Sequence, residues 1–233
     1  MAIFSMLSPT AAARPASRTR TSRAAIDARS SAVNSARARF VLPADEPSRL
    51  SVFTDGSHKK ARDAAGTIGT KRGCAAWCRY GDRVYEMSQS CDDLDPNESN
   101  PTMELRAAAS VLEQLFVLLW PRNERNCAVR RVRLHADYRQ VIEYGDGTLD
   151  ATRSKVPHYR AQALRLQAIV LKFHQAKLLG GPQLEFVHVY AHQPLTEEER
   201  RRPPEGNHAA DALASNPTGE NTFTELFCGT AGE

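Results

Sequence analysis

The sequence predicts an α/β fold: a mixed five-stranded sheet, three antiparallel strands then two parallel crossovers, with helices on both faces. Three observations predict it. Three short β-rich runs come first, joined by turn residues. Two strand–helix units follow, which demand parallel crossovers. Apolar residues then recur at helical spacing between the later strands. At 233 residues the chain has room for one domain with appendages. With 41% apolar and 25% charged residues it can bury a sizeable core, and wholesale disorder is excluded. No apolar run approaches the ~18–20 residues of a membrane span, so no membrane partner is expected. Five cysteines, at 74, 78, 91, 127 and 228, are too few for a disulfide scaffold and favour a reducing compartment.

Residues 1–48 read as a disordered tail. The first 42 hold 11 Ala, 7 Ser and 7 Arg against one acid, Asp27. The chain's net charge of +4 therefore belongs to this segment, and the remainder is mildly acidic. An organellar transit peptide, which slightly favours a mitochondrial address over a nuclear or cytoplasmic one, competes with a basic nucleic-acid-binding arm. Order is expected over 49–217, with 218–233 as a C-terminal tail.

Within the domain, Leu50 to Asp55 is a β-rich run closed by an acid, and Gly56 permits a sharp exit. Gly73 to Tyr80 and Arg83 to Cys91 are the next strands, with Gly81 and Asp82 as a hairpin turn. Asp92 to Asn100 is a polar loop. Asn100 suits an N-cap and Pro101 the first helical position. Leu105, Ala108, Leu112, Leu115 and Leu119 then make a helical stripe. Val129 to His135 is the fourth strand, Tyr138 to Tyr144 a short helix and Tyr159 to Leu179 a long one. Leu184 to Tyr190 is the fifth strand, and Asn207 to Ser215 the last helix. Cys74 and Cys78 fall on one face of a strand and read as core rather than as zinc ligands.

Four acids stand out by position. Asp55 closes a strand, although Asp-Gly is also an ordinary turn. Glu104 heads a helix face shared with Ala108, Val111 and Leu115, which is costly unless compensated, although a first-turn acid also favours the helix dipole. Asp137 follows a strand directly and would serve equally as an N-cap. Asp211 borders the apolar residues Ala210, Leu213 and Ala214, and would serve equally as a solvated acid. Strand ends and helix starts gather at one rim of such a sheet. Carboxylates ~4 Å apart repel by about 4 kcal/mol at an effective dielectric near 20, so the group calls for cations. Oxygen ligands alone select Mg²⁺ or Mn²⁺, and two such ions suit displacement at phosphorus.

The set of Asp55 within Phe-Thr-Asp-Gly-Ser, Glu104 within Thr-Met-Glu-Leu-Arg-Ala-Ala, Asp137, His192 after Val-Tyr-Ala, and Asn207 with Asp211 resembles the ordered signature of type 1 ribonucleases H. The resemblance spans roughly residues 49–216 and implies a ribonuclease H-like fold. It implies two Mg²⁺ ions held by Asp55, Glu104, Asp137 and Asp211, with His192 assisting proton transfer or product release. It further implies hydrolysis of the RNA strand of an RNA–DNA hybrid, leaving a 5′ phosphate and a 3′ hydroxyl. Gly56, Ser57, Asn100 and Asn207 would touch substrate. Pro101 stands where relatives carry a polar residue, Tyr138 where many carry Ser, and the loop from 193 to 206 is long. Two alternatives remain: a DNA-acting nuclease of the resolvase or integrase kind, and a non-cleaving hybrid-binding module. A monomer is expected, and no protein partner is legible.

Overall fold

The computed structural model describes residues 48–62, 68–81, 83–91, 98–123, 126, 128–189 and 206–227. The expected N-terminal tail, His192 and most of the 193–206 loop lie outside the described residues. Five strands form a single sheet in the order β3-β2-β1-β4-β5. They are β1 (Arg49–Arg62), β2 (Ile68–Tyr80), β3 (Arg83–Ser90), β4 (Arg131–Ala136) and β5 (Gln183–His188). The first three are antiparallel, β4 runs parallel beside β1, and β5 runs parallel beside β4. The helices are α1 (Asn100–Leu119), α2 (Arg139–Gly145), α3 (Pro157–Leu178) and α4 (Gly206–Ser215), with short 3₁₀ turns at Ala151–Arg153 and Phe223–Glu225. No helix among the described residues is long and apolar enough to cross a membrane.

Helices cover both faces, and two glycines show how closely. A Cβ on Gly56 would stand 2.2 Å from the Glu104 backbone nitrogen of α1. A Cβ on Gly73 would stand 2.2 Å from the Ala214 carbonyl of α4. Residues 56 and 73 point to opposite faces, since Gly56 pairs with Cys74 and Ser57 with Gly73. The apolar stripe of α1 is wholly buried and joins Leu50, Val52, Val132 and Leu134 of the sheet and Leu166, Val170 and Phe173 of α3. Each such leucine contributes about 1.5–3 kcal/mol by leaving water.

The expectation that β1 ends at Asp55 is corrected. The strand continues to Arg62, paired with β2 all the way, while its parallel pairing with β4 stops at Thr54–Ala136. Asp55 is therefore the first residue beyond the parallel half of the sheet. Gly56 is needed for the close approach of α1, not for a turn. Other ends shift by one or a few residues. Ser99, not Asn100, is the N-cap of α1, and Tyr138, not Asp137, that of α2. The long helix starts two residues earlier, at Pro157, and the fifth strand ends at His188. The segment expected as a C-terminal tail folds back through residue 227. Asn221 bridges to Met87 of β3, and Phe223 and Leu226 are buried in the main core. Two apolar anchors outweigh the polar composition around them.

Candidate metal centre

Three chain segments meet at the same rim. Asp55 leaves the parallel pairing of β1, Asp137 follows the last residue of β4, and Glu104 lies in the first turns of α1. One carboxylate oxygen from each of Asp55, Glu104 and Asp137 lies within 4.8 Å of the others. Glu104 and Asp55 are only 4% and 5% exposed. At that spacing two full charges repel by roughly 3–4 kcal/mol at an effective dielectric near ~20. A cavity of about 330 Å³ opens on the group, and its lining also includes Gly56, Ser57, His58, Lys59, Asn100, Tyr138 and Asp211.

Glu104 is held from two sides. The Gly56 N–H donates to its Oε2 at 2.9 Å, and the Asn100 amide donates to its Oε1 at 3.4 Å. Both donors are neutral, so they orient the carboxylate without balancing its charge. Burial, then Asp55 and Asp137, push the Glu104 carboxyl well above the ordinary range. Burial, then Asp137 and Asp211, push Asp55 up to about 8, with Lys59 pulling the other way. Near neutral pH the rim thus holds protons that a divalent cation would displace. Hard oxygen donors, crowded and buried, suit such a cation. A buried Asp-Glu-Asp group of this kind can bind a metal.

Asp211 lines the same cavity but stands outside the tight group of three. Its Oδ1 accepts from the Ser215 hydroxyl at 3.2 Å, one turn along α4. The Lys59 ammonium donates to that same hydroxyl at 2.5 Å. On the other side, the backbone carbonyl of Asp137 lies 2.9 Å from His188 Nε2. The sequence reading did not pick out Lys59, Ser215 or His188 for these places. The signal for Lys59 was period-two alternation from Asp55, visible only to a reader who lets β1 run on. The signal for Ser215 was its i+4 spacing from Asp211.

Of the residues expected to touch substrate, Gly56, Ser57 and Asn100 line the cavity. Asn207 does not; it is buried one turn before Asp211. A Cβ on Gly206 would stand 2.2 Å from the Phe53 ring, so the start of α4 lies hard against the sheet. Also on this side, His135 stacks on Phe53 at 4.4 Å. Burial, then Arg133, hold its pKa down to about 4, so it is a neutral core residue at pH 7.

The strand order, the directions and the helices on both faces match the expected architecture. This is the architecture that the resemblance to type 1 ribonucleases H implies. No protein-family model and no curated protein matches the chain. Among solved structures, RNase H1 from the halophilic archaeon Halobacterium salinarum NRC-1 is similar at 17% identity and a TM-score of 0.44, over 71% of this chain and 94% of that one. The N-terminal RNase H domain of a Mycobacterium tuberculosis protein, solved as a fusion with maltose binding protein, gives 18% and 0.46, over 74% and 99%. The PFV RNase H domain gives 15% and 0.45, over 71% and 91%.

Proposed function

We propose that this chain is a metal-dependent endonuclease of the ribonuclease H type, hydrolysing the RNA strand of RNA–DNA hybrids. One observation carries the reading: Asp55, Glu104 and Asp137, far apart in sequence, bring carboxylate oxygens within 4.8 Å at the rim of a ribonuclease H-like sheet. With Asp211 beside them, these acids would hold two Mg²⁺, or Mn²⁺ in their place. When bound, such ions supply Lewis-acid activation of a water and neutralise charge building on the leaving 3′ oxygen.

The chain's own residues do the positioning. Gly56 and Asn100 fix both oxygens of Glu104, and Ser215 fixes one oxygen of Asp211. Lys59 sets a positive charge near Asp55, which tempers the repulsion and suits a phosphate approaching the cavity. Ser57 and Asn100 present small polar groups there, fit for ribose hydroxyls and phosphate oxygens rather than base edges. His192 keeps its proposed part in proton transfer or product release.

The test is an assay of the full chain with Mg²⁺ and labelled RNA–DNA hybrid, duplex DNA and four-way junctions. Cleavage confined to the RNA strand of the hybrid, leaving 5′ phosphate and 3′ hydroxyl ends, is expected. Cleavage of junctions or duplex DNA would move the chain to the DNA-acting nucleases. Binding of hybrid without cleavage would make it a non-cleaving module.

A further inference from the structure

Away from the acids, two thiols meet in the interior. Cys74 of β2 lies opposite Gln89 of β3, and Cys91 is the first residue past β3, where its N–H still donates to the Arg72 carbonyl at 2.9 Å. The two cysteines are thus diagonal neighbours across an antiparallel pair. Their sulfurs are 3.1 Å apart, closer than two sulfurs rest in simple van der Waals contact. Both side chains are buried, and they share a small cluster with Met103 and Ala107 of α1. Cys78, four residues along β2, packs instead in the main core.

We infer that Cys74 and Cys91 are a disulfide-forming pair, a covalent modification site joining β2 to the chain leaving β3 beneath the first turns of α1. A disulfide needs the sulfurs about 1 Å closer, a shift that side-chain rotation supplies. The oxidant is a low-molecular-weight disulfide such as oxidised glutathione. One cysteine thiolate attacks it, forming a mixed disulfide and releasing one glutathione thiol. The other cysteine thiolate attacks the mixed disulfide, forming the Cys74–Cys91 bond and releasing the second glutathione. The pair loses two protons and two electrons, and the oxidant takes them up as two thiols. The hydrogen bond with Cys91, and then burial, hold the Cys74 thiol far above its ordinary range. The folded dithiol is therefore slow to react, and exchange runs during folding or local opening. Once made, the bond restrains the unfolded chain. It also stiffens the seat of Glu104, because Met103 of the cluster directly precedes that residue.

The full chain is refolded with a glutathione couple, or with excess dithiothreitol, then alkylated under denaturing conditions and mapped by mass spectrometry. The oxidised sample is expected to yield a linked Cys74–Cys91 peptide and to take up two fewer alkyl groups. Its Tm should rise by roughly 5–10 °C, and dithiothreitol should reverse both changes. Cys74→Ala and Cys91→Ala should each abolish the Tm difference, and Cys78→Ala should keep it. Full alkylation of Cys74 and Cys91 after oxidative refolding, or their linkage to other cysteines, would overturn the inference. Peptide mapping uses the unaltered chain, so the result depends neither on a variant folding nor on nuclease activity.

Discussion

Glu98 and Glu104 stand on either side of the start of α1, both nearly excluded from solvent, at 6% and 4% exposure. Glu98 receives the Arg106 guanidinium on both oxygens, at 3.0 and 3.2 Å. Glu104 receives two neutral donors and faces two more carboxylates. One acid has its counter-charge supplied by the same helix. The other is held in shape by donors that bring no counter-charge. Burial alone therefore does not mark a functional acid; the kind of partner does.

The largest effect that tests this contrast is at Glu104. Glu104→Gln keeps the acceptor for Gly56 and removes one carboxylate ligand from the group. Turnover of hybrid should fall by about 10³-fold or more, as when a transition-state stabilising group is lost. The metal-free protein should meanwhile become more stable, because a buried carboxyl that folding forces to take up a proton is gone. Single-turnover cleavage and thermal melting without metal read the two halves. Unchanged turnover would remove Glu104 from the site.

The same operation on the other acid should do the reverse. Arg106→Met strands Glu98 as a buried, unpaired charge and should cost about 3–5 kcal/mol in urea denaturation. The double variant Glu98→Gln with Arg106→Met should recover most of that loss, since the stranded charge is then absent. If Arg106→Met is as mild as a surface substitution, the two glutamates are not treated differently and the comparison breaks.

Parts of this contrast were legible in the sequence. The acids of the rim were found because strand ends and helix starts are marked by local signals, and the sheet order follows from chain connectivity. The length of β1 was not, since His58, Lys59 and Lys60 look like loop residues. They extend the strand because β2 supplies a ladder out to Ile68. The Glu98–Arg106 pair was missed because Glu98 sits in a run of polar residues whose burial depends on how the chain returns to α1. The burial of Asn207 was not legible for a related reason: the close approach of Gly206 to Phe53 at the start of α4 is a contact no local pattern encodes.

The contrast also has a pH signature. Asp55 titrates near 8 in the folded, metal-free protein against an ordinary value of 3.8. Between those values the folded state holds a proton that the unfolded state has released. Stability must therefore fall as pH rises across this window, by up to about 1.4 kcal/mol per pH unit for one such group. Most acids in salt bridges behave in the opposite sense. Metal should flatten the slope by taking the proton's place. Urea melts from pH 5 to 8, with EDTA and with Mg²⁺, show whether the two sets diverge as pH falls or rises. Equal slopes in both sets would mean that no metal competes with protons at the rim.

The smallest effect is expected at Lys59, the charge that tempers the group. Its ammonium pulls the Asp55 carboxyl down and reaches Asp211 through the Ser215 hydroxyl. Lys59→Met removes the attraction and keeps most of the side-chain volume. The Asp55 carboxyl should then titrate higher still, so Mg²⁺ binding at pH 8, where Asp55 is about half protonated, should release more protons than in the unaltered chain. Ser215→Ala breaks the hydrogen-bonded link to Asp211 and keeps the lysine charge near Asp55. It should leave proton release nearly unchanged while loosening Asp211. Calorimetry of Mg²⁺ binding in two buffers of different ionisation enthalpy separates the two variants. Equal proton release from Lys59→Met and the unaltered chain would show that the lysine acts on Asp211 through Ser215 and not on Asp55 through charge.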